Sequence, residues 1–230
     1  MFERSNPRVF LPVRSAETGV NAPDNNKLAT AAGSGVNVPD NNTLATYLEI
    51  GCEYGVVHYD RTSPTCESAA NYVVKTIDGD IDRLGTYFRV DPSSSKAWWH
   101  FYMVPGGGGA VHFGCGSKYL FIGADTPNPF DAKVAEMLTV AEVVEVFEAG
   151  QESLIPAATG WHCDNSVGEG LSRVLAEELM GSAPIDPKFL VANAWLSSPR
   201  ANFVDNTLFT DTNSVANGCA VLFLNWLRFA

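Results

Sequence analysis

KVAEMLTVAEVVEVFEAG, from Lys133 to Gly150, and GEGLSRVLAEEL, from Gly168 to Leu179, decide how this chain is read. Val134, Leu138, Val144 and Phe147 keep one apolar face at helical spacing, so the first stretch is expected to be a helix. Asp131 stands where an N-cap is wanted and Gly150 where a helix ends. The second helix is expected from about Gly168 to Met180, with Asp164, Asn165 or Ser166 as caps. Ala141 and Glu145 lie one turn apart and therefore share a face.

Ahead of this helix pair the pattern is strand-like. YLEIGCEYGVVHYD, ANYVVKTID, GTYFRVD, AWWHFYMVP and SKYLFIGAD are short aromatic and β-branched runs between polar or glycine breaks. Gly106 to Gly109 is expected to be a flexible turn. It lacks the following helix with a Lys-Ser/Thr signature that a phosphate-binding loop needs. DGDID, Asp78 to Asp82, lacks the glycine and closing glutamate of a calcium loop and is expected to be a turn. In the run Trp98 to Tyr102, alternation favours core packing, with an exposed ring able to stack on a sugar or a protein. Behind the pair, Ile185 to Asn213 is mixed and a last helix runs from about Val215 to Phe229. The expected fold class is α+β, a β-rich N-terminal half with a twisted sheet followed by a helical C-terminal half.

Residues 1–46 differ from the rest. GVNAPDNNKLAT (Gly19 to Thr30) recurs as GVNVPDNNTLAT (Gly35 to Thr46), with ten of twelve positions identical at a spacing of 16. Such a unit is too short for a helical repeat and too rich in Pro, Asn and Asp for a helix interior. Each copy reads as a turn on Pro-Asp-Asn-Asn followed by Leu-Ala-Thr. The domains are thus an extended arm over 1–46, duplicated locally or gripping a neighbour, and an α+β domain over 47–230.

Composition narrows the partners. Lys and Arg total 15 against 26 Asp and Glu, a formal net charge of -11, which repels a phosphate backbone and argues against nucleic acid. No run approaches the roughly 20 apolar residues that span a bilayer. MFERSNPRVFLPVRS carries no apolar signal-peptide core, so the expectation is a soluble chain, cytoplasmic or released. Cys52, Cys66, Cys115, Cys163 and Cys219 form no close C-x-x-C pair. Free, mostly buried thiols are expected, with Cys52 and Cys66 the nearest candidate bridge.

In its helix pair the chain resembles the gluzincins, the thermolysin-like zinc peptidases. There a twisted sheet precedes a helix bearing H-E-x-x-H, and a second helix adds a glutamate ligand. The strand SKYLFIGA, then A-E-V-V-E (Ala141 to Glu145), then G-E-G-L-S (Gly168 to Ser172) follow that order. The resemblance implies a zincin-like scaffold in which Glu142 matches the general base and Glu169 the third metal ligand. Ala141 and Glu145 stand at the two histidine positions. Alanine cannot bind a metal, whereas Glu145 with Glu169 makes a hard, oxygen-rich set suited to Ca²⁺, Mg²⁺ or Mn²⁺. His162, with Cys163 beside it, is the nearest further ligand by sequence.

Bland readings stand beside these. Glu136, Glu142, Glu145 and Glu148 at intervals of three or six form a solvated face in most amphipathic helices. Val143, Val144 and Val146, however, leave little polar surface around Glu142 and Glu145, so one of that pair is expected to be partly buried and to need a partner such as Arg173. Glu169 and Arg173, four apart, make an ion pair as readily as a metal site. Cys115 or Cys163 beside His112 or His162 suggests a Cys-His hydrolase only weakly, since such partners meet in space rather than in sequence. The favoured reading is a non-peptidase that binds a protein partner or itself, or a carbohydrate, as an oligomer-forming or toxin-type protein without a resident cofactor. The alternative is a metal-dependent hydrolase whose divalent-metal ligands have moved.

Overall fold

In this computed structural model the described residues are 36, 38–92, 98–112, 117–124, 132–154, 165–181, 191–209 and 212–230. Strands β1 (Leu48–Gly51) and β2 (Gly55–Tyr59) form an antiparallel hairpin. Helix α2 (Pro64–Phe88) crosses over to β3 (Trp99–Val104), which runs parallel to β2. Strand β5 (Tyr119–Ala124) is parallel to β3, and β4 (Gly107–His112) closes the far edge antiparallel to β5. The order is therefore β1-β2-β3-β5-β4, a mixed sheet. A short helical turn, α1 (Asn41–Leu44), precedes it.

Helix α2 corrects three expectations at once. ANYVVKTID and GTYFRVD are not strands, and DGDID is not a turn; all lie in or at the end of this 25-residue helix. Ser63 caps it by accepting from the Cys66 N–H at 3.3 Å, with Pro64 opening the first turn. Cys66, Ala69, Ala70, Val73, Val74, Ile77, Ile81 and Leu84 are buried at three- and four-residue steps. That period shows only over the whole length; cut into short windows, the β-branched residues imitate strands. Arg89, at φ 55°, ends the helix in the left-handed region.

Gly106 turns at φ 130°, but Gly107 onward belongs to β4, whose register shifts between Gly107 and Ala110. The expected flexible turn is thus mostly a bulged edge strand. In β3, Trp99, Phe101, Tyr102, Met103 and Val104 are all buried, as a strand with parallel neighbours and two covered faces requires. One face, with Val57, Trp99, Phe101, Met103, Leu120 and Ile122, packs on the helices. The other, with Tyr102, Val104 and Phe121, is covered by Val36, Leu44 and Tyr47. Within the second repeat copy, Asp40 Oδ1 accepts from the Thr43 N–H at 2.8 Å and starts the α1 turn that delivers Leu44.

Helix α3 (Ala132–Leu154) lies against α2, β4 and β5, with α4 (Ser166–Met180) packed on its other side. It runs through Gly150, which is not its terminator. Asn165 caps α4, its side chain accepting from the N–H groups of Val167 at 3.0 Å and Gly168 at 3.3 Å. Helix α6 (Ser214–Phe229), capped by Asn213, packs on α4 and on the short α5 (Ala192–Leu196). Cys52, Cys66 and Cys219 are free thiols, so the Cys52–Cys66 bridge is not formed. Among the described residues no helix is long and apolar enough to cross a membrane. Asp131, Cys115, His162, Cys163 and the first repeat copy lie outside the described residues.

Candidate metal centre

Edge strand β4 ends at His112, and helix α3 passes beneath that end. His112 Nδ1 lies 2.7 Å from Glu142 Oε2 and 3.8 Å from Glu145 Oε2. One ligand-type atom from each of the three residues falls within 4.8 Å of the others. Glu142 and Glu145 are three apart on α3, so both carboxylates reach the same side. The side chains are 4%, 12% and 7% exposed for His112, Glu142 and Glu145, which makes this an enclosed polar cluster with Glu142 at its rim.

The glutamates of α3 do not form a solvated face. Glu136, Glu145 and Glu148 are 5%, 5% and 2% exposed, because α3 is enclosed by the sheet and by two helices. Burial pushes the Glu145 carboxyl well above its ordinary range, helped by Glu142 and then Glu148, and opposed by Ser172 and Arg173. Glu148 is raised by burial and then by Glu169. Neither carboxylate oxygen of Glu148 has a hydrogen-bond partner among the described residues. Glu169 is answered by Arg173, whose Nη2 stands 3.6 Å from its Oε2.

A chain of neighbouring carboxylates, Glu142–Glu145–Glu148–Glu169, thus runs between α3 and α4, faced by Arg173 and His112. Buried carboxylates in such number need protons or a cation. The mixed nitrogen and oxygen set of His112, Glu142 and Glu145 suits Zn²⁺, Mn²⁺, Fe²⁺ or Co²⁺, and three protein ligands leave positions for water.

Of the residues singled out from sequence, Glu142 and Glu145 come together. Glu169 sits further along the row, paired to Arg173 and outside the three-residue group. Ala141 is buried beside them and offers no ligand. His112 is the residue that sequence reasoning missed as a ligand. It stands 30 positions before Glu142, and no local spacing links a glycine-rich edge strand to a helix beyond the next strand. No protein family, curated protein or solved structure matches the chain.

Proposed function

We propose that this chain is a metal-dependent hydrolase on a zincin-like frame, with its cation moved from the H-E-x-x-H positions to the junction of β4 and α3. The convergence of His112, Glu142 and Glu145 within 4.8 Å carries this reading. His112 adds the imidazole that an all-oxygen set lacks, and so widens the choice beyond Ca²⁺ and Mg²⁺. A divalent ion held there would acidify a bound water, toward about 7 in the case of Zn²⁺. Glu142, the most exposed of the three, faces the side from which a substrate carbonyl or phosphoryl group would approach.

Metal analysis tests it directly. One equivalent of Zn²⁺ or Mn²⁺ is expected in the wild-type protein and in Glu169→Gln, and is lost in His112→Ala and Glu145→Gln. Hydrolysis of a generic peptide or ester should stop with chelator and return with the ion. Absence of stoichiometric binding overturns the proposal. Binding without metal-dependent turnover removes the hydrolase and leaves a cation-stabilised binding protein.

That second reading has its own support. The last turn of α6 exposes Trp226, Leu227 and Phe229 at 63%, 53% and 77%, while Ala216 to Ala220 of the same helix are buried. Large apolar side chains left together in water mark a protein-binding surface more often than a catalytic one. Co-elution or self-association that disappears in Trp226→Ala would favour it. A monomer at all concentrations with no captured partner argues against it.

A further inference from the structure

The sheet face opposite the helices holds a second polar cluster that the first centre does not use. Glu49 and His58 are register partners across β1 and β2, His58 and Tyr102 across β2 and β3, and His100 and Tyr119 across β3 and β5. His100 and Tyr102 lie two apart on β3 and so project to the same face. This places His58 Nε2 and His100 Nδ1 3.0 Å apart. Each imidazole is stacked on a tyrosine ring, His58 on Tyr102 at 4.3 Å and His100 on Tyr119 at 4.6 Å, so neither turns freely. Glu49 Oε1 stands 3.3 Å from the other nitrogen of His58.

We propose that His58 and His100 form a second metal site, independent of the first, which takes one nitrogen-preferring transition-metal ion, Cu²⁺ or Ni²⁺, through His58 Nε2 and His100 Nδ1. Two nitrogens each about 2.0–2.1 Å from an ion and at right angles around it are about 3 Å apart, the tetragonal arrangement these ions prefer. Glu49 Oε1, from a half-exposed side chain, lies 3.3 Å from His58 Nδ1, on the side of the ring away from Nε2, so a proton carried on Nδ1 leaves the Nε2 lone pair for an ion. With His58 in that tautomer, the His100 Nδ1–H is the donor of the 3.0 Å contact in the metal-free protein. On binding, this proton leaves Nδ1 and Nε2 of His100 gains one, so the ring stays neutral and no net proton is released. His58 is buried and His100 half-buried, which leaves the outer side of the ion for water or an external ligand.

Electron paramagnetic resonance with one equivalent of Cu²⁺ tests the site on the full chain. A tetragonal signal with coupling to two imidazole nitrogens is expected, unchanged in His112→Ala and lost in His58→Gln and in His100→Gln. Circular dichroism checks that the variants fold; if a His58 or His100 variant does not, the nitrogen count in the wild type, read with His112→Ala, decides. A signal unaltered by either substitution, one showing fewer than two nitrogens, or one lost in His112→Ala overturns the proposal.

Discussion

His112 Nδ1 lies 2.7 Å from Glu142 Oε2, joining the last residue of an edge strand to the middle of the most enclosed helix. An edge strand has little else to hold its end, so this contact and the cation proposed beside it also order the β4–α3 junction. His112→Ala is expected to do two separable things. Without metal, it leaves Glu142 and Glu145 facing each other with the imidazole removed, at a cost of about 1–3 kcal/mol in chemical denaturation. With Zn²⁺ or Mn²⁺ added, the wild type gains thermal stability and the variant does not.

The raised carboxyls make the metal-free protein sensitive to base. For Glu145 and Glu148 the folded state holds a proton more tightly than the unfolded chain, whose reference is 4.5. Their contribution is therefore complete below that value and is lost as pH rises through the folded-state values. Metal-free protein should lose stability from about pH 5 upward, and Glu148→Gln should flatten the decline. Divalent cations compete with those protons, so metal binding should strengthen with pH. Denaturation midpoints across pH 5 to 8, with and without ion, check both; a flat metal-free profile contradicts the assignment.

What could be read in advance was local. Helices α3, α4 and α6, and strands β3 and β5, announce themselves through their periodicity, and among the caps Asn165 on α4 does what its position suggests. Helix α2 is hidden because Val73, Val74 and Ile77 favour strands, and Gly79 and Gly85 look like breaks. Packing of its buried face against the sheet and α3 outweighs those propensities. The burial of Glu136 and Glu148 is equally invisible in sequence, whereas Val143, Val144 and Val146 leave so little polar surface around Glu142 and Glu145 that the enclosure of at least one of that pair could be read. His112 meets Glu142 only because β4 folds back antiparallel at the sheet edge, a long-range pairing with no local signal.

The glycines separate helices that merely contain one from helices that need one. A Cβ at Gly79 would meet nothing within 4 Å, whereas at Gly170 it would lie 2.5 Å from the Ala220 Cβ, where α4 crosses α6. Gly79→Ala is expected to stabilise by about 0.5–1 kcal/mol through helix propensity. Gly170→Ala should destabilise by about 1–3 kcal/mol, because the crossing must widen. Urea midpoints of the two variants should move in opposite directions. A rise for Gly170→Ala would mean that α4 and α6 do not pack as closely as described.

A further buried acid, on another helix, tests whether charge in this core is tolerated only when protonated. Asp80, fully buried on α2, is pushed up to about 7 by burial and by Glu136 of α3, with Arg83 pulling the other way. Raised above its reference of 3.8, it contributes stability below that value, and the contribution is lost as pH rises through about 7. Asp80→Asn keeps the shape, cannot ionise, and can still offer its side-chain oxygen to Arg83, which now bonds Asp80 Oδ1. The variant should gain on the wild type as pH rises from 6 to 8.5, and the gap should narrow toward pH 5. Because Asp80 and Glu136 link α2 to α3, that gain should also appear as slower hydrogen exchange in both helices at pH 8. If the variant is equally destabilised at every pH, the Asp80–Arg83 ion pair stabilises the helix contact and the buried charge is not its weakness.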